Sequence, residues 1–128
     1  NGGTDRVFLS AQLNNIISYE VFDAAPADLT YFVSLNRYKG FITTDPTNAE
    51  YRFNIDAVLS QQIYTYTGLT GTGTLDNIET IFSTVIDSPE PAYYWYILDV
   101  MFYVPSGNMQ VTQSVVGQRS LSVQVVKA

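Results

Sequence analysis

Residues 91–107 read PAYYWYILDVMFYVPSG, and positions 92–104 are apolar or aromatic throughout except for one carboxylate, Asp99. Prolines 91 and 105 bracket the run, so it is a single element. It falls short of the ~20 apolar residues of a membrane-spanning helix. A strand with one wet face alternates apolar and polar residues, whereas a strand covered on both faces loses that alternation. The run is therefore expected to be a central strand of a two-layer β fold, its second face covered by a neighbouring helix or another subunit. Read with period two, Tyr94, Tyr96, Leu98, Val100, Phe102 and Val104 form the purer core face. The opposite face carries Asp99 and the amphipathic rings that suit half-wet surfaces. Tyr93, Trp95, Asp99 and Tyr103 are accordingly the candidate interface or ligand face.

The rest of the chain repeats the strand signal. In RVFLSAQL, Val7, Leu9, Ala11 and Leu13 share a face, and Ile17, Tyr19 and Val21 do the same in ISYEVF, after an Asn14-Asn15 turn signal. TYFVSLNRY (30–38) and IYTYT (63–67) read as further strands. YRFNIDA (51–57) sets Tyr51, Phe53, Ile55 and Ala57 against Arg52, Asn54 and Asp56, and SLSVQVVK places Leu121, Val123 and Val125 inward. Breakers fall at 23–28, 43–48, 68–73, 89–91, 105–108 and Gly117. One helix is expected at 76–87: Asp76 as cap, Glu79 three residues on, then Ile78, Ile81, Phe82, Val85 and Ile86 at helical spacing, stopped by Ser88-Pro89. The expected fold is all-β, an antiparallel β-sandwich or jelly-roll-like domain of seven or eight strands with one short α-helix. Residues 1–5 read as a flexible N-terminal tether, and 6–128 as a single β-sandwich domain.

Composition narrows function mainly by exclusion. The 128 residues include no cysteine and no histidine, so disulfides, thiolate chemistry and imidazole-based triads or zinc sites are ruled out. Net charge is −6, and the six cations are scattered, which speaks against nucleic-acid binding and docking on an anionic membrane. Charged residues are 14% of the chain, leaving Ser, Thr, Asn, Gln and Tyr to build the polar surface. The chain opens at Asn1 rather than Met, which a removed signal peptide, a tag or a pro-segment would each explain.

Candidate chemistry is thin. Asp99 on an apolar strand invites a catalytic reading through a desolvated carboxylate, but a carboxylate accepting bonds from Tyr or Arg at a sheet rim is the favoured reading. Asp87 and Glu90 flank Pro89 as a carboxylate pair and read as solvated turn residues. TGLTGTGT (67–74) lacks the Gly-Lys-Ser/Thr ending of a phosphate loop. The acidic loop at Asp23 and Asp28, and the pair Asp45 and Asn48, lack EF-hand spacing for calcium. No catalytic, cofactor or metal residue is assigned. The ten tyrosines and single tryptophan could serve a sugar platform or subunit contacts. The expectation is a non-enzymatic structural subunit of an extracellular assembly, a virion component or surface filament. It would self-associate through Tyr-rich surfaces and sheet edges, including segments 7–13 and 120–126. The alternative is a secreted or cell-surface module binding glycan or protein.

Overall fold

The computed structural model describes residues 5–42 and 51–127. Six strands account for nearly all of this: β1 (Arg6–Val21), β2 (Ala27–Ile42), β3 (Tyr51–Leu69), β4 (Thr72–Asp87), β5 (Tyr94–Tyr103) and β6 (Met109–Val126). They form two antiparallel sheets of three strands, ordered β4-β1-β6 and β3-β2-β5. Among the described residues there are six strands, against the expected seven or eight, and no helix.

The two central strands build the core. Alternation on β1 turns Val7, Leu9, Ala11, Leu13, Ile17 and Val21 inward, and β2 answers with Ala27, Leu29, Tyr31, Val33 and Leu35, all buried. Tyr31 lies between the Tyr64 and Phe102 rings, with centroids 5.6 and 5.4 Å away. Asn15 is fully buried here. It donates from Nδ2 to the Tyr31 hydroxyl (3.1 Å) and accepts from Ser114 Oγ (3.0 Å). A buried amide keeps its place only when satisfied in this way. The Asn14-Asn15 turn signal is therefore overturned: the chain continues through it as one strand, with a register shift beside Asn15.

The helix expected at 76–87 is strand β4. Two β-bulges explain the false periodicity. Between Asn15 and Ile17 of β1, β4 advances three residues, from Ile78 to Leu75; between Leu9 and Ala11 it does so again, from Val85 to Phe82. Each extra residue flips the in–out parity, so the inward set runs Leu75, Ile78, Thr80, Phe82 and Val85, with two three-residue steps that imitate helical spacing; Ile81 and Ile86, also read into the helical stripe, face outward. Asp76, read as a cap, sits in the first bulge beside Asn77, which has φ 51. The β-branched residues of TIFSTVI suit a pleated strand. Bulges also merge 51–57 and 63–67 into β3, and one of them sends Ile55 outward and Ala57 inward, against the simple alternation read for that segment. Gly117 lies inside β6.

One flank is tied shut. Gln62 Nε2 of β3 donates to the Ile81 carbonyl of β4 (2.7 Å), and the Tyr64 hydroxyl lies 2.9 Å from Thr80 Oγ1. An inter-sheet clasp closes one end. Arg37 of β2 binds Asp87 of β4 through Nη1 (2.5 Å) and Asp56 of β3 through Nε (2.8 Å) and Nη2 (2.7 Å). Tyr96 donates to the other oxygen of Asp87 (2.9 Å). Burial alone would lower the Arg37 pKa, but the bonds to Asp87 and Asp56 outweigh it and hold the pKa above its usual value. At the opposite end, Asn108 Nδ2 ties to Asp23 Oδ1 (3.0 Å) and the Ala25 carbonyl (2.9 Å).

β5 is not the central strand its sequence suggests. It is the ten-residue edge of the β3-β2-β5 sheet, and segment 7–13 lies in central β1 rather than at an edge. Segment 120–126 does form an edge, in β6.

Candidate functional site: the outer face of the β3-β2-β5 sheet

Cross-strand register fixes which side chains meet on the face turned away from the core. Five rows cross the sheet from β3 through β2 to β5: Ile55–Tyr38–Trp95, Val58–Asn36–Ile97, Gln61–Ser34–Asp99, Ile63–Phe32–Met101 and Thr65–Thr30–Tyr103. The even residues of β5 pack on the core, as the period-two reading requires, so its odd residues stand outward. Ile55, Val58, Ile63, Trp95, Ile97, Met101 and Tyr103 are between 37% and 60% exposed. No described residue covers this face.

A polar stripe divides it. Asn36 Nδ2 donates to Asp99 Oδ2 at 2.6 Å, and the Tyr38 hydroxyl donates to the same oxygen. Gln61 Nε2 donates to Ser34 Oγ at 2.8 Å. Ser34 and Asn36 are buried although they face outward, because their larger neighbours close over them. The bond to Asp99, with some burial, raises the Tyr38 pKa, so that phenol stays a neutral donor. Asp99 is thereby an acceptor held in a ladder of side-chain hydrogen bonds.

Trp95 has a specific seat. A Cβ on Gly40 would lie 1.7 Å from Trp95 Cζ3, so the indole occupies the space above the glycine backbone. Only a residue without a side chain permits that approach.

Of the residues singled out from sequence, Trp95, Asp99 and Tyr103 share this face. Tyr93 lies just before β5, 83% exposed, with its carbonyl accepting from Gly40 N (3.2 Å). Ile63, Val58, Ile55 and Phe32 went unread, because their membership depends on strand order and bulges that periodicity does not reveal. The other acidic candidates separate. Asp87 is buried in the Arg37 clasp rather than solvated, and Glu90 is exposed. Asp23 accepts from the nearby Ala25 amide, and Asp28 accepts from the Gly68 amide across the sheet. Asp45 and Asn48 lie outside the described residues, as does most of the 1–5 tether, whose Asp5 pairs with Lys127 at 3.1 Å. Among the described residues, no group of three or more acidic side chains is placed to hold a metal ion.

The opposite sheet offers a contrast. Its outer face is more mixed: Ser10, Gln12, Ser18, Ser120, Ser122 and Gln124 on β1 and β6 alternate with exposed Ile16, Ile81, Ile86 and Val115. Comparison with protein-family models, curated proteins and solved structures finds no match for this chain.

Proposed function

We propose that the protein is a non-enzymatic structural subunit of an extracellular assembly, such as a virion component or surface filament. Its self-association runs through the outer face of the β3-β2-β5 sheet. The observation that carries this reading is the seven large apolar side chains exposed on that one face. The largest contiguous apolar patch on an ordinary monomer is roughly 300–600 Å², and this face, although crossed by the polar stripe, gathers all seven of those side chains. A second copy burying this face would approach the about 800 Å² per partner of a standard interface. The free edge of β6 offers a further contact by strand addition.

Sedimentation velocity over a wide concentration range tests the reading, comparing the parent with Ile63→Lys/Met101→Lys. Both positions are exposed, so the fold tolerates the change, and circular dichroism verifies it. The parent is expected to associate and the variant to stay monomeric. A parent that remains monomeric at high concentration refutes the proposal.

One observation favours a second reading, a glycan-binding module. Trp95 lies against Gly40 beside Tyr38 and Asp99, an aromatic surface with polar groups at its margin. A glycan array run with the parent and Trp95→Ala tests it. Absence of binding, or binding indifferent to the substitution, removes this reading.

A further inference from the structure

The flank opposite the Gln62 and Tyr64 ties is open. Between the free edges of β5 and β6 lies a cleft of about 490 Å³, floored by Leu13 and walled by Leu98, Val100, Val116 and Leu121, with Arg119 and Ser120 at its lip. That volume falls within the range of small-molecule sites, and an apolar hollow facing water is stabilised by whatever apolar group fills it. Arg119 is the anomaly. It pairs in register with core residue Leu13, which puts a guanidinium on the core-facing side of an edge strand. Arg37 and Lys127 have carboxylate partners, whereas Arg119, like Arg6 and Lys39, makes no ion pair or hydrogen bond among the described residues; of these three only Arg119 lines the cleft. The chain has twelve acids for its six bases, so this cation is not left over for want of carboxylates.

We propose that the cleft binds an amphiphilic monocarboxylate, its unbranched alkyl tail between β5 and β6 and its carboxylate on Arg119. The guanidinium presents two parallel N–H donors to a carboxylate. The exposed position of Arg119 lets the head group stay at the water boundary while the tail enters the sandwich. A small inorganic anion would leave the apolar walls unfilled, and an uncharged alkane would leave the cation unpaired. The site is separate from the outer face of the β3-β2-β5 sheet.

Isothermal titration with octanoate, decanoate and dodecanoate, each below its micelle concentration, tests the assignment. One-to-one saturable binding is expected, tightening about fourfold per added methylene as each extends along the walls. Arg119→Gln should weaken decanoate binding roughly tenfold while leaving decanol unchanged, because only the charged head loses its partner. Arg119 is exposed, so an unchanged melting temperature confirms that the variant is folded. Leu121→Trp, which fills the cleft, should abolish binding of acid and alcohol alike. No saturable binding by any of the three acids overturns the proposal, as does Arg119→Gln binding decanoate as tightly as the parent. In either case Arg119 is an inward charge guarding a sheet edge.

Discussion

Replacing Arg37 with methionine tests the clasp that joins the two sheets. Methionine keeps an unbranched stem against the neighbouring side chains and removes only the guanidinium. Asp87, whose side chain is 8% exposed, then keeps the Tyr96 hydroxyl and the Ser88 amide as donors but loses its counter-ion. Asp56, at 32%, has enough water to rehydrate. The cost is therefore set by Asp87, and an uncompensated buried charge of this kind destabilises by about 3–5 kcal/mol. With a urea m-value of about 1–3 kcal/mol per M, the midpoint should fall by roughly 2 M. Unfolding followed in parallel by far-UV dichroism and by the emission of Trp95, the single tryptophan, gives the value and tests two-state behaviour. Adding Asp87→Leu to Arg37→Met should recover much of the loss, less about 1–3 kcal/mol for the stranded Tyr96 hydroxyl. If Arg37→Met costs under about 1 kcal/mol, or the two substitutions simply add, the ion pair is screened and the sheets are held by apolar packing alone.

Three further outcomes follow from the buried hydroxyls and the Trp95 seat. Burial holds Tyr31, Tyr66 and Tyr96 above the ordinary phenol pKa, and the bond to Asp99 does the same for Tyr38. The folded chain thus keeps these protons when the unfolded chain releases them, so this stabilisation is complete below about pH 10 and is lost as pH climbs further. Urea midpoints at pH 8 and 11 should show the fall, with a shallower one in Tyr96→Phe; equal slopes refute the assignment. Gly40→Ala forces the Trp95 ring off its seat, costing about 1–3 kcal/mol and shifting its emission to the red. An unchanged spectrum means the indole does not rest there. Tyr31→Phe keeps the ring stack but strands Asn15 Nδ2 in the core, costing about 1–3 kcal/mol by urea unfolding. A loss below a few tenths shows that the amide finds another acceptor.

Where period two runs unbroken, the sequence is a sufficient guide. Val7 to Leu13 on β1 and Tyr96 to Phe102 on β5 face the core as their alternation dictates. The reading fails where a bulge adds a residue. In β4 the extra residues at 76–77 and 83–84 turn a strand's inward set into a helical spacing, and in β3 the bulge at Asp56 reverses Ile55. Bulges are set by pairing with a distant strand, and no local pattern announces them. Asn15 misleads for a related reason: an Asn pair marks a turn only if water satisfies it, and here Tyr31 and Ser114 do so from other strands. The double-sided apolar character of β5 was legible, but its cause was not. The strand is an edge whose outer face stays bare, rather than a centre covered on both sides.

That bare face is not explained by the folding of one chain, because apolar groups left in water contribute nothing to the core. Its polar stripe is the more informative part. A uniformly apolar surface slides, whereas exposed Gln61 and half-buried Asp99, fixed by hydrogen bonds to the buried Ser34 and Asn36 beneath them, present polar groups that a partner must meet in one alignment, as a buried Asn sets register in coiled coils. Under the proposed self-association, Asn36→Leu/Asp99→Leu replaces both members of one bonded pair with apolar groups. The stability change should be small, within about 1 kcal/mol, since neither buried partner is stranded and the partly exposed Tyr38 hydroxyl can turn to water. Association should strengthen while losing its single geometry, so sedimentation velocity resolves a spread of species in place of one. A variant that still sediments as the parent's single species would show that the stripe serves the fold and has no part in registering a neighbour.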